Sequence, residues 1–330
     1  MSLITDLQKR LKGSKKTIIF PESTDEKIIK AAAKLLDLEI AQPIFVGKMQ
    51  DTKAVADKLN IDISKIKFVD HEDQNIMDDT VAAYLRQSDM YSEKSLYRKL
   101  KNPLNFAAAR VSIGFADSLA AGISHTTGEV IMASQMYIGM SEGVETISSI
   151  GITEITDFLG KDIFYLGLTD CAVCMNPTSE ELADIAIASS ITYKSLIGDE
   201  PKAAMLSFSS DGSGEHEIVE KVVNAVKIAN EKRPDLLIDG EFQLDTAIIQ
   251  KVAEKKMKRE SKVAGNANIL VFPDLNAGNI GVKLIQIFGG VNAHGPMLQG
   301  FKKPVTDFSR SAPVEEIVGN LTMLVARIGG

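Results

Sequence analysis

The chain is poor in cysteine, since its 330 residues include only Cys171 and Cys174. Two cysteines exclude a disulfide framework and fit a reducing compartment, so we expect a cytoplasmic protein. The pair forms a C-x-x-C, which is also the pattern of a redox pair or of half a zinc site. Zinc needs four ligands, and there is no second pair. We therefore interpret both cysteines as small apolar side chains and expect no metal site.

Long apolar runs and an excess of basic charge are also lacking. No stretch approaches the roughly 20 apolar residues that a membrane-spanning helix requires. The first residues, MSLITDLQKRLKG, are charged and contain no apolar core, so we expect no secretory signal. The net charge of −7 disfavours nucleic acid and anionic membranes as partners. Local cationic pockets for small anions remain compatible with this charge.

Short apolar runs rich in β-branched residues alternate with longer segments of helical period. The candidate strands are TIIF (from Thr17), PIFVG (from Pro43), IKFVD (from Ile66), SLAAGI (from Ser118), IFYLGL (from Ile163), AAMLSF (from Ala203), LLIDGE (from Leu236) and NILVF (from Asn268). Segments such as DEKIIKAAAKLL and SEELADIAIASSI lie between them. This alternation predicts an α/β protein whose sheets are mostly parallel, with helices on both faces.

Two glycine-bearing stretches, residues 138–145 and 288–296, have the composition of crossings between lobes. They predict a discontinuous first lobe, residues 1–142 plus 294–330, and a second lobe, residues 143–293. Ligands of open α/β sheets bind beyond the carboxyl ends of strands, often between lobes. We therefore expect the active site in the cleft between the two lobes.

The segment TDFSRSAPVEEI, from Thr306, places a hydroxyl beside a guanidinium just before a predicted helix. Arg310 and the helix N-terminus would hold a phosphate, Ser309 could assist a nucleophile, and Glu316 could act as a carboxylate base. The alternative is ordinary capping, in which Ser311 caps the helix and Arg310 pairs with Asp307.

Two further strand-to-helix turns are candidate anion sites. In GISHTTGEV, the hydroxyls of Thr126 and Thr127 and free N–H groups suit a phosphate, whereas His125 reads as a structural hydrogen bonder. A helix cap is the alternative there. The third candidate, FPDLNAGNIGVKLIQ, contains Asn279 and is not a Walker A loop. The basic run of residues 251–262 is either a solvated helix end or a docking site for a distant phosphate.

Taken together, these segments resemble the phosphate acetyltransferase (phosphotransacetylase) family. The matching stretches are IIFPESTDEKIIKAA, NPLNFAAARVSIGFAD, GISHTTGE, DCAVCMNPTSEELADIA, AMLSFSSDGS, DGEFQLDTA, GNANILVFPDLNAGNIGVK and GPMLQGFKKPVTDFSRS. They cover nearly the whole chain. The resemblance implies a three-layer α/β/α fold like that of isocitrate and isopropylmalate dehydrogenases, and a homodimer. It implies acetyl transfer between coenzyme A and phosphate, with acetyl-CoA and acetyl phosphate as substrates and no permanently bound cofactor.

The resemblance also implies roles for single residues. Ser309 and Arg310 match the family's serine–arginine pair, and Glu316 stands where the family has an aspartate base. His125, Thr126, Thr127, Asn279 and Gln299 lie in matching stretches and are expected to bind substrate. The pattern departs where the family has arginines that meet coenzyme A phosphates or line the cleft, because this chain has Lys101, Met132 and Ile287.

Three alternatives stay open. Met132 and Ile287 make the predicted cleft more apolar, which would suit a propionyl- or butyryl-preferring phosphotransacylase. The missing arginines would also suit a catalytically weakened paralogue that binds an acyl phosphate or coenzyme A. A metal-dependent decarboxylating dehydrogenase would need a cluster of aspartates, for which Asp239 and Asp245 are the nearest candidates.

Overall fold

A computed structural model describes residues 2–329, and the chain forms two compact units. The first unit runs to Met140 and resumes with Phe301–Gly329, and the second is Ser141–Gly300. The boundary expected at residue 294 falls within a strand, β10 (Asn292–Gln299), that pairs with another strand of the second unit. This pairing keeps the chain in the second unit up to Gly300.

The first unit is built on a five-stranded sheet in which every pair of neighbours is parallel. Its strands are β1 (Thr17–Phe20), β2 (Gln42–Val46), β3 (Lys67–Val69), β4 (Ser118–Ala121) and β11 (Val305–Asp307). The spatial order is β11-β4-β1-β2-β3. The chain passes outward from β1 to β3 and then returns to the other side of β1, so a topological switch point lies between β1 and β4. Open α/β sheets bind their ligands outside the carboxyl ends of strands at such a point.

The helices of the first unit are α1 (Leu3–Leu11), α2 (Glu26–Asp37), α3 (Met49–Leu59), α4 (Gln74–Leu85), α5 (Glu93–Leu100), α6 (Pro103–Ser112), α7 (Thr127–Ala133) and α13 (Val314–Ala326). A π-helical turn, Ser134–Ile138, follows α7. Several begin at side-chain caps that the sequence supplies. The Asp25 carboxylate, for example, accepts hydrogen bonds from the amides of Lys27 and Ile28 at the start of α2.

The core of the first unit joins its two chain segments. Ile317, Leu321 and Leu324 on α13 are buried in one apolar cluster with Phe20 of β1 and Ile28 of α2. Each such side chain contributes roughly 1.5–3 kcal/mol when it is fully removed from water. The C-terminal segment is therefore an integral part of the first unit.

The second unit contains a six-stranded mixed sheet. Its strands are β5 (Ser148–Phe158), β6 (Lys161–Thr169), β7 (Lys202–Leu206), β8 (Leu237–Phe242), β9 (Ile269–Val271) and β10. The order is β10-β5-β6-β9-β7-β8, in which β5 is antiparallel to both of its neighbours and the remaining pairs are parallel. The predicted α/β architecture with mostly parallel sheets is confirmed. Three strands, β5, β10 and β11, were not among the candidates in the sequence.

The helices of the second unit are α8 (Ser179–Ile197), α9 (Glu217–Lys232), α10 (Leu244–Ile248), α11 (Gln250–Lys256) and α12 (Leu275–Gly289). Helix α8 is buried on most of its surface and begins with a capping box between Thr178 and Glu181. Helix α12 is different, because Gly278 is its one buried residue. Within residues 2–329, no helix combines the length and the apolar character that a membrane span requires.

Candidate active site

Three chain segments meet at the carboxyl edge of the first unit's sheet. Glu22 follows β1, the turn of residues 122–127 follows β4, and the segment of residues 307–310 includes the end of β11. Strand β4 lies between β1 and β11 and is parallel to both. Residues about 100 and 180 positions apart in sequence are thereby brought into contact at the topological switch point.

The turn after β4 is wrapped around the carboxylate of Glu22. The amides of Gly122, Ile123, Ser124 and His125 donate to this carboxylate over 3.2, 3.1, 2.8 and 3.1 Å. The Ser124 hydroxyl donates over 3.0 Å, and His125 Nδ1 lies 2.8 Å from the same carboxylate. The Glu22 side chain is 2% exposed. The Glu22 carboxylate therefore takes the place that a bound anion would have in this part of the turn.

The expectation of free N–H groups in this turn is wrong for residues 122–126. Glu22 takes the first four amides, and the Thr126 amide donates to the Glu129 carboxylate over 2.7 Å. Thr126 and Glu129 form a complete capping box at the start of α7. The structure thus supports the capping alternative for Thr126, because each of these donors already has an acceptor within the protein.

The pKa values of Glu22 and His125 move in opposite directions. Burial alone raises the pKa of the Glu22 carboxyl, but hydrogen bonds from His125, Ser124 and Ile123 outweigh it and lower the pKa to about 2. The hydrogen bond to Glu22 raises the pKa of His125. Hydrogen bonding to the charged form dominates in both residues, so folding favours a carboxylate facing an imidazolium.

We expect Glu22→Gln to lower the free energy of unfolding by about 3 kcal/mol near pH 5.5, since each pH unit between the folded and unfolded pKa is worth about 1.4 kcal/mol. The lowered pKa of Glu22 gives stability that is present above about pH 4.5 and lost as the pH falls towards 2. The raised pKa of His125 gives stability that is complete below about pH 6.5 and lost as the pH rises through its folded pKa. Urea unfolding between pH 3 and 9 measures both the loss of stability at low pH and the loss at high pH.

Glu26→Gln is the matched control for this measurement. Glu26 is an exposed carboxylate on α2 that faces Lys30 one turn away. Its removal should change stability by less than about 0.5 kcal/mol. A stability difference between wild type and Glu22→Gln that stays constant from pH 3 to 9 would contradict the assignment.

Asp307, at the end of β11, is the second perturbed carboxyl of the site. Thr127 Oγ1 donates to Asp307 Oδ2 over 2.5 Å. The other oxygen, Oδ1, is buried and has no hydrogen-bond partner in the part of the chain that the structure describes. Burial raises the pKa of Asp307, the hydrogen bond from Thr127 opposes this, and the nearby charge of Glu22 adds to the rise.

Gly122 makes room for this carboxyl. Its φ of +120° lies in the region that favours glycine. A Cβ at Gly122 would overlap Asp307 Oδ1 and would lie 2.5 Å from the amide nitrogen of Phe308. Only a residue without a side chain permits this approach of the β4 turn to the end of β11.

Ser309 and Arg310 come after the buried Phe308 and are both exposed. Ser309 Oγ lies 3.0 Å from Ser311 Oγ. The backbone carbonyl of Arg310 accepts a hydrogen bond from Lys27 Nζ over 3.0 Å. Among residues 2–329, the Arg310 guanidinium makes no hydrogen bond and no ion pair, although its charge helps to lower the pKa of Glu129. The arginine is therefore a cation available to a ligand.

The capping alternative for this segment is wrong. Asp307 is bonded to Thr127 and not to Arg310. Helix α13 has Pro313 at its N-cap position, with no side-chain capping bond, so Ser311 does not cap it. Proline begins the helix without an exposed N–H group of its own to satisfy.

Glu316 lies exposed in the first turn of α13. Its neighbour Glu315 pairs with Lys34 over 2.7 Å. Glu316 itself makes no hydrogen bond or ion pair with the described residues. Its carboxylate is therefore available to accept a proton or a hydrogen bond from a ligand.

The other candidates are distributed over both units. Lys101 is exposed at the end of α5, and the side chain of Met132 on α7 is 61% exposed. In the second unit, Ile287 on α12 is 72% exposed, beside the apolar residues Ile280, Leu284 and Phe288 of the same exposed face. Met132 and Ile287 thus present exposed apolar surface.

Asn279 and Gln299 belong to the second unit and differ in accessibility. Asn279 is exposed on α12, and its amide donates to the carbonyl of Cys171 over 3.3 Å. Gln299 is 1% exposed, and its amide donates to the hydroxyls of Ser148 and Ser189 over 2.9 and 2.7 Å. As placed, Gln299 joins strands and α8 inside the unit and has no exposed surface for a ligand.

The cysteines and the acidic DGEFQLD stretch fill structural roles. Burial raises the pKa of Cys171, and it raises the pKa of Cys174 to about 11, so neither thiol is ionised at neutral pH. Arg259 pairs with Asp239 over 2.7 Å, and Lys256 pairs with Asp245 over 2.8 Å. The two aspartates suggested for a metal site are thus neutralised by the basic run itself. Residues 2–329 contain no group of three metal-ligating side chains close enough to share an ion.

The family model described as "Phosphate acetyl/butaryl transferase" matches residues 2–326. The chain belongs to this family. A phosphate acetyltransferase of Clostridium acetobutylicum is 41% identical over 99% of this chain and 98% of that protein. Among solved structures, a phosphotransacetylase from Streptococcus pyogenes superposes with a TM-score of 0.90, at 32% identity and 99% coverage of both chains. One from Staphylococcus aureus gives 0.87, at 37% identity, and covers 98% of this chain and 97% of that one.

This membership confirms the resemblance seen in the sequence. The structure adds Glu22, Gly122 and the Thr127–Asp307 contact to the residues that shape the site. One signal in the sequence could have indicated Glu22, because a carboxylate placed directly after a buried strand lies at the ligand-binding edge of a parallel sheet.

Proposed function

We propose that the protein transfers an acetyl group between coenzyme A and inorganic phosphate. In one direction, the coenzyme A sulfur attacks the carbonyl carbon of acetyl phosphate, the carbon–oxygen bond to phosphate breaks, and acetyl-CoA and phosphate form. The observation that carries the proposal is the exposed guanidinium of Arg310, which has no partner in the described chain and adjoins Ser309 just after β11, at the carboxyl edge of the sheet. The identity to named phosphate acetyltransferases supports the choice of reaction.

The phosphate would be held by Arg310, the hydroxyl of Ser309 and the oxygen of Thr127. The amides of residues 122–126 cannot contribute, since they already donate to Glu22 and Glu129. Arg310 therefore supplies the main charge compensation as negative charge grows on the departing phosphate. A guanidinium binds two phosphate oxygens with parallel N–H bonds, which also fixes the orientation of the anion.

Proton transfer from the thiol would fall to Glu316, assisted by Ser309. A thiol has a pKa near 8.5, so at neutral pH it needs a base before it can attack. Glu316 is exposed and has no partner among residues 2–329 that would compete for its carboxylate. In the reverse direction the same carboxyl would return the proton to the departing sulfur.

The decisive assay measures free thiol released from acetyl-CoA, with and without phosphate. Release that depends on phosphate supports acetyl transfer, and comparison with propionyl- and butyryl-CoA tests the acyl preference. The exposed apolar side chain of Met132 favours the longer chains as the second candidate. Binding of coenzyme A by calorimetry without phosphate-dependent thiol release would indicate the binding paralogue and would refute the proposed reaction.

Met132→Arg is expected to lower the KM for acetyl-CoA about tenfold or more, because a charge-assisted hydrogen bond is worth about 1.5–3 kcal/mol. The substitution restores a cation at an exposed position on α7, and steady-state kinetics measures its effect. Met90→Arg is the matched control, since Met90 is 59% exposed in the same unit and no role is assigned to it. An equal KM in both variants would show that position 132 does not meet the substrate.

Two properties of the whole molecule complete the proposal. We infer a homodimer, as the family resemblance implies, which sedimentation equilibrium of the wild-type protein tests directly. We also place the protein in the cytoplasm, because both of its cysteines are free thiols and a reducing compartment keeps them so.

A further inference from the structure

The Thr127 hydroxyl is bonded to the carboxyl of Asp307, whose orientation is fixed by its surroundings. Thr127 is exposed, and its Oγ1 lies 2.5 Å from Asp307 Oδ2. The second oxygen of Asp307 is buried against the backbone at Gly122 and has no partner in the described chain. Because Asp307 is held on both sides, it acts on a ligand only through Thr127.

This contact decides which way the Thr127 hydroxyl points. A hydroxyl has one hydrogen to donate and two lone pairs that accept, whereas an ionised carboxylate only accepts. The hydrogen of Thr127 is therefore committed to Asp307, and the lone pairs of Oγ1 remain for a ligand. Thr126 is in the same state, since its hydroxyl donates to Glu129 Oε2 over 2.9 Å. Both threonines of the turn can accept hydrogen bonds from an anion but cannot donate to it.

We propose that the Thr127–Asp307 pair makes this site selective for oxyanions that carry a proton. The inference rests on the proposed function, which puts inorganic phosphate at Arg310 and Thr127. Near neutral pH, phosphate keeps at least one P–O–H group, and that group can donate to Thr127. Sulfate carries no proton, so its oxygens would face the lone pairs of Thr127 and be repelled. Asp307 is then a positioning residue that determines specificity.

The surrounding charges do not by themselves decide between the two anions. Glu22, Glu129 and Asp307 surround the turn, and the positive groups near them are Arg310, the imidazolium form of His125 and Lys27, whose Nζ donates to the Arg310 carbonyl over 3.0 Å. The hydrogen-bond acceptors that face the ligand therefore matter more than the net charge. A protonated phosphate brings a donor to a region that is rich in acceptors.

The test compares the affinities of inorganic phosphate and sulfate for the full chain by isothermal titration calorimetry. Wild type is expected to prefer phosphate. Thr127→Val keeps the shape and removes the acceptor, so the ratio of phosphate to sulfate affinity should fall about tenfold. Asp307→Asn supplies an amide that can donate to Thr127 and free its hydrogen for the ligand, so sulfate binding should strengthen and the ratio should fall further.

Asp89→Asn is the control, because Asp89 is an exposed carboxylate of the same unit with no hydrogen bond within residues 2–329. Its ratio should equal that of wild type. An unchanged ratio in either folded site variant overturns the inference, since a purely structural role would weaken both anions alike. Failure of the proposed function is read separately. A wild-type chain that prefers phosphate but releases no thiol refutes acetyl transfer and leaves the anion selectivity intact.

Discussion

Arg310→Ala is expected to reduce phosphate-dependent thiol release about 100- to 1000-fold, the usual cost of removing one group that stabilises charge in a transition state. The guanidinium is exposed and makes no ion pair in the described chain, so its charge is available to the phosphate, whereas the nearby Lys27 ammonium donates to the Arg310 carbonyl. Most of the loss should appear in kcat and in the KM for phosphate. The KM for acetyl-CoA should change less, because the phosphate groups of coenzyme A are remote from the acyl group and would not bind Arg310.

The same exposure makes the result easy to interpret. Truncation of a side chain without partners should change the free energy of unfolding by less than about 0.5 kcal/mol. Arg310→Lys is the informative companion, since it keeps the charge and loses the two-pronged geometry, and it should fall between wild type and alanine. Full activity of Arg310→Ala would remove the basis of the proposed reaction.

The second large effect is expected at Gly122, where alanine should cost more than about 3 kcal/mol of stability and abolish turnover. A positive φ alone costs a non-glycine residue of the order of 1–3 kcal/mol. The added Cβ would also overlap Asp307 Oδ1 and press on the backbone of Phe308, neither of which can move freely. Chemical denaturation measures the loss of stability, and thiol release measures the loss of the site.

Gly114→Ala separates the two causes. Gly114 also has a positive φ, +79°, but a Cβ there would meet no atom within 4 Å. Alanine there should therefore cost only the strain of the positive φ, about 1–2 kcal/mol, and leave activity unchanged. If Gly122→Ala were no more harmful than Gly114→Ala, the close approach of the β4 turn to β11 would not be important for the protein.

The strands and helices that could be predicted are those whose pattern of apolar residues is visible within a short stretch of sequence. Strand TIIF and helix DEKIIKAAAKLL were recognised because their apolar periods are complete within a few residues. Strand β11 is Val-Thr-Asp and contains one apolar residue, and β10 is broken by Gly295 and Pro296. Both strands depend on partners that are distant in sequence, so no short window could reveal them.

The site shows the same division between local and distant information. The position of Ser309 and Arg310 just before a helix could be predicted from the sequence, and their role stays a prediction. The capture of the turn amides by Glu22 could not, because it joins residues 100 positions apart. The capping alternative paired Asp307 with the neighbouring Arg310, whereas its observed partner is Thr127, 180 positions away. Nearness in sequence favoured the wrong partner.

The discontinuity of the first unit has a consequence for biosynthesis. Its sheet lacks β11, and its core lacks α13, until nearly the whole polypeptide has been translated. The second unit is one continuous segment, Ser141–Gly300, and has its complete sheet earlier. Domains fold as units as the chain leaves the ribosome. The N-terminal part of the first unit, up to Met140, therefore keeps an unpaired edge at β4 while the middle of the chain is translated and folds first.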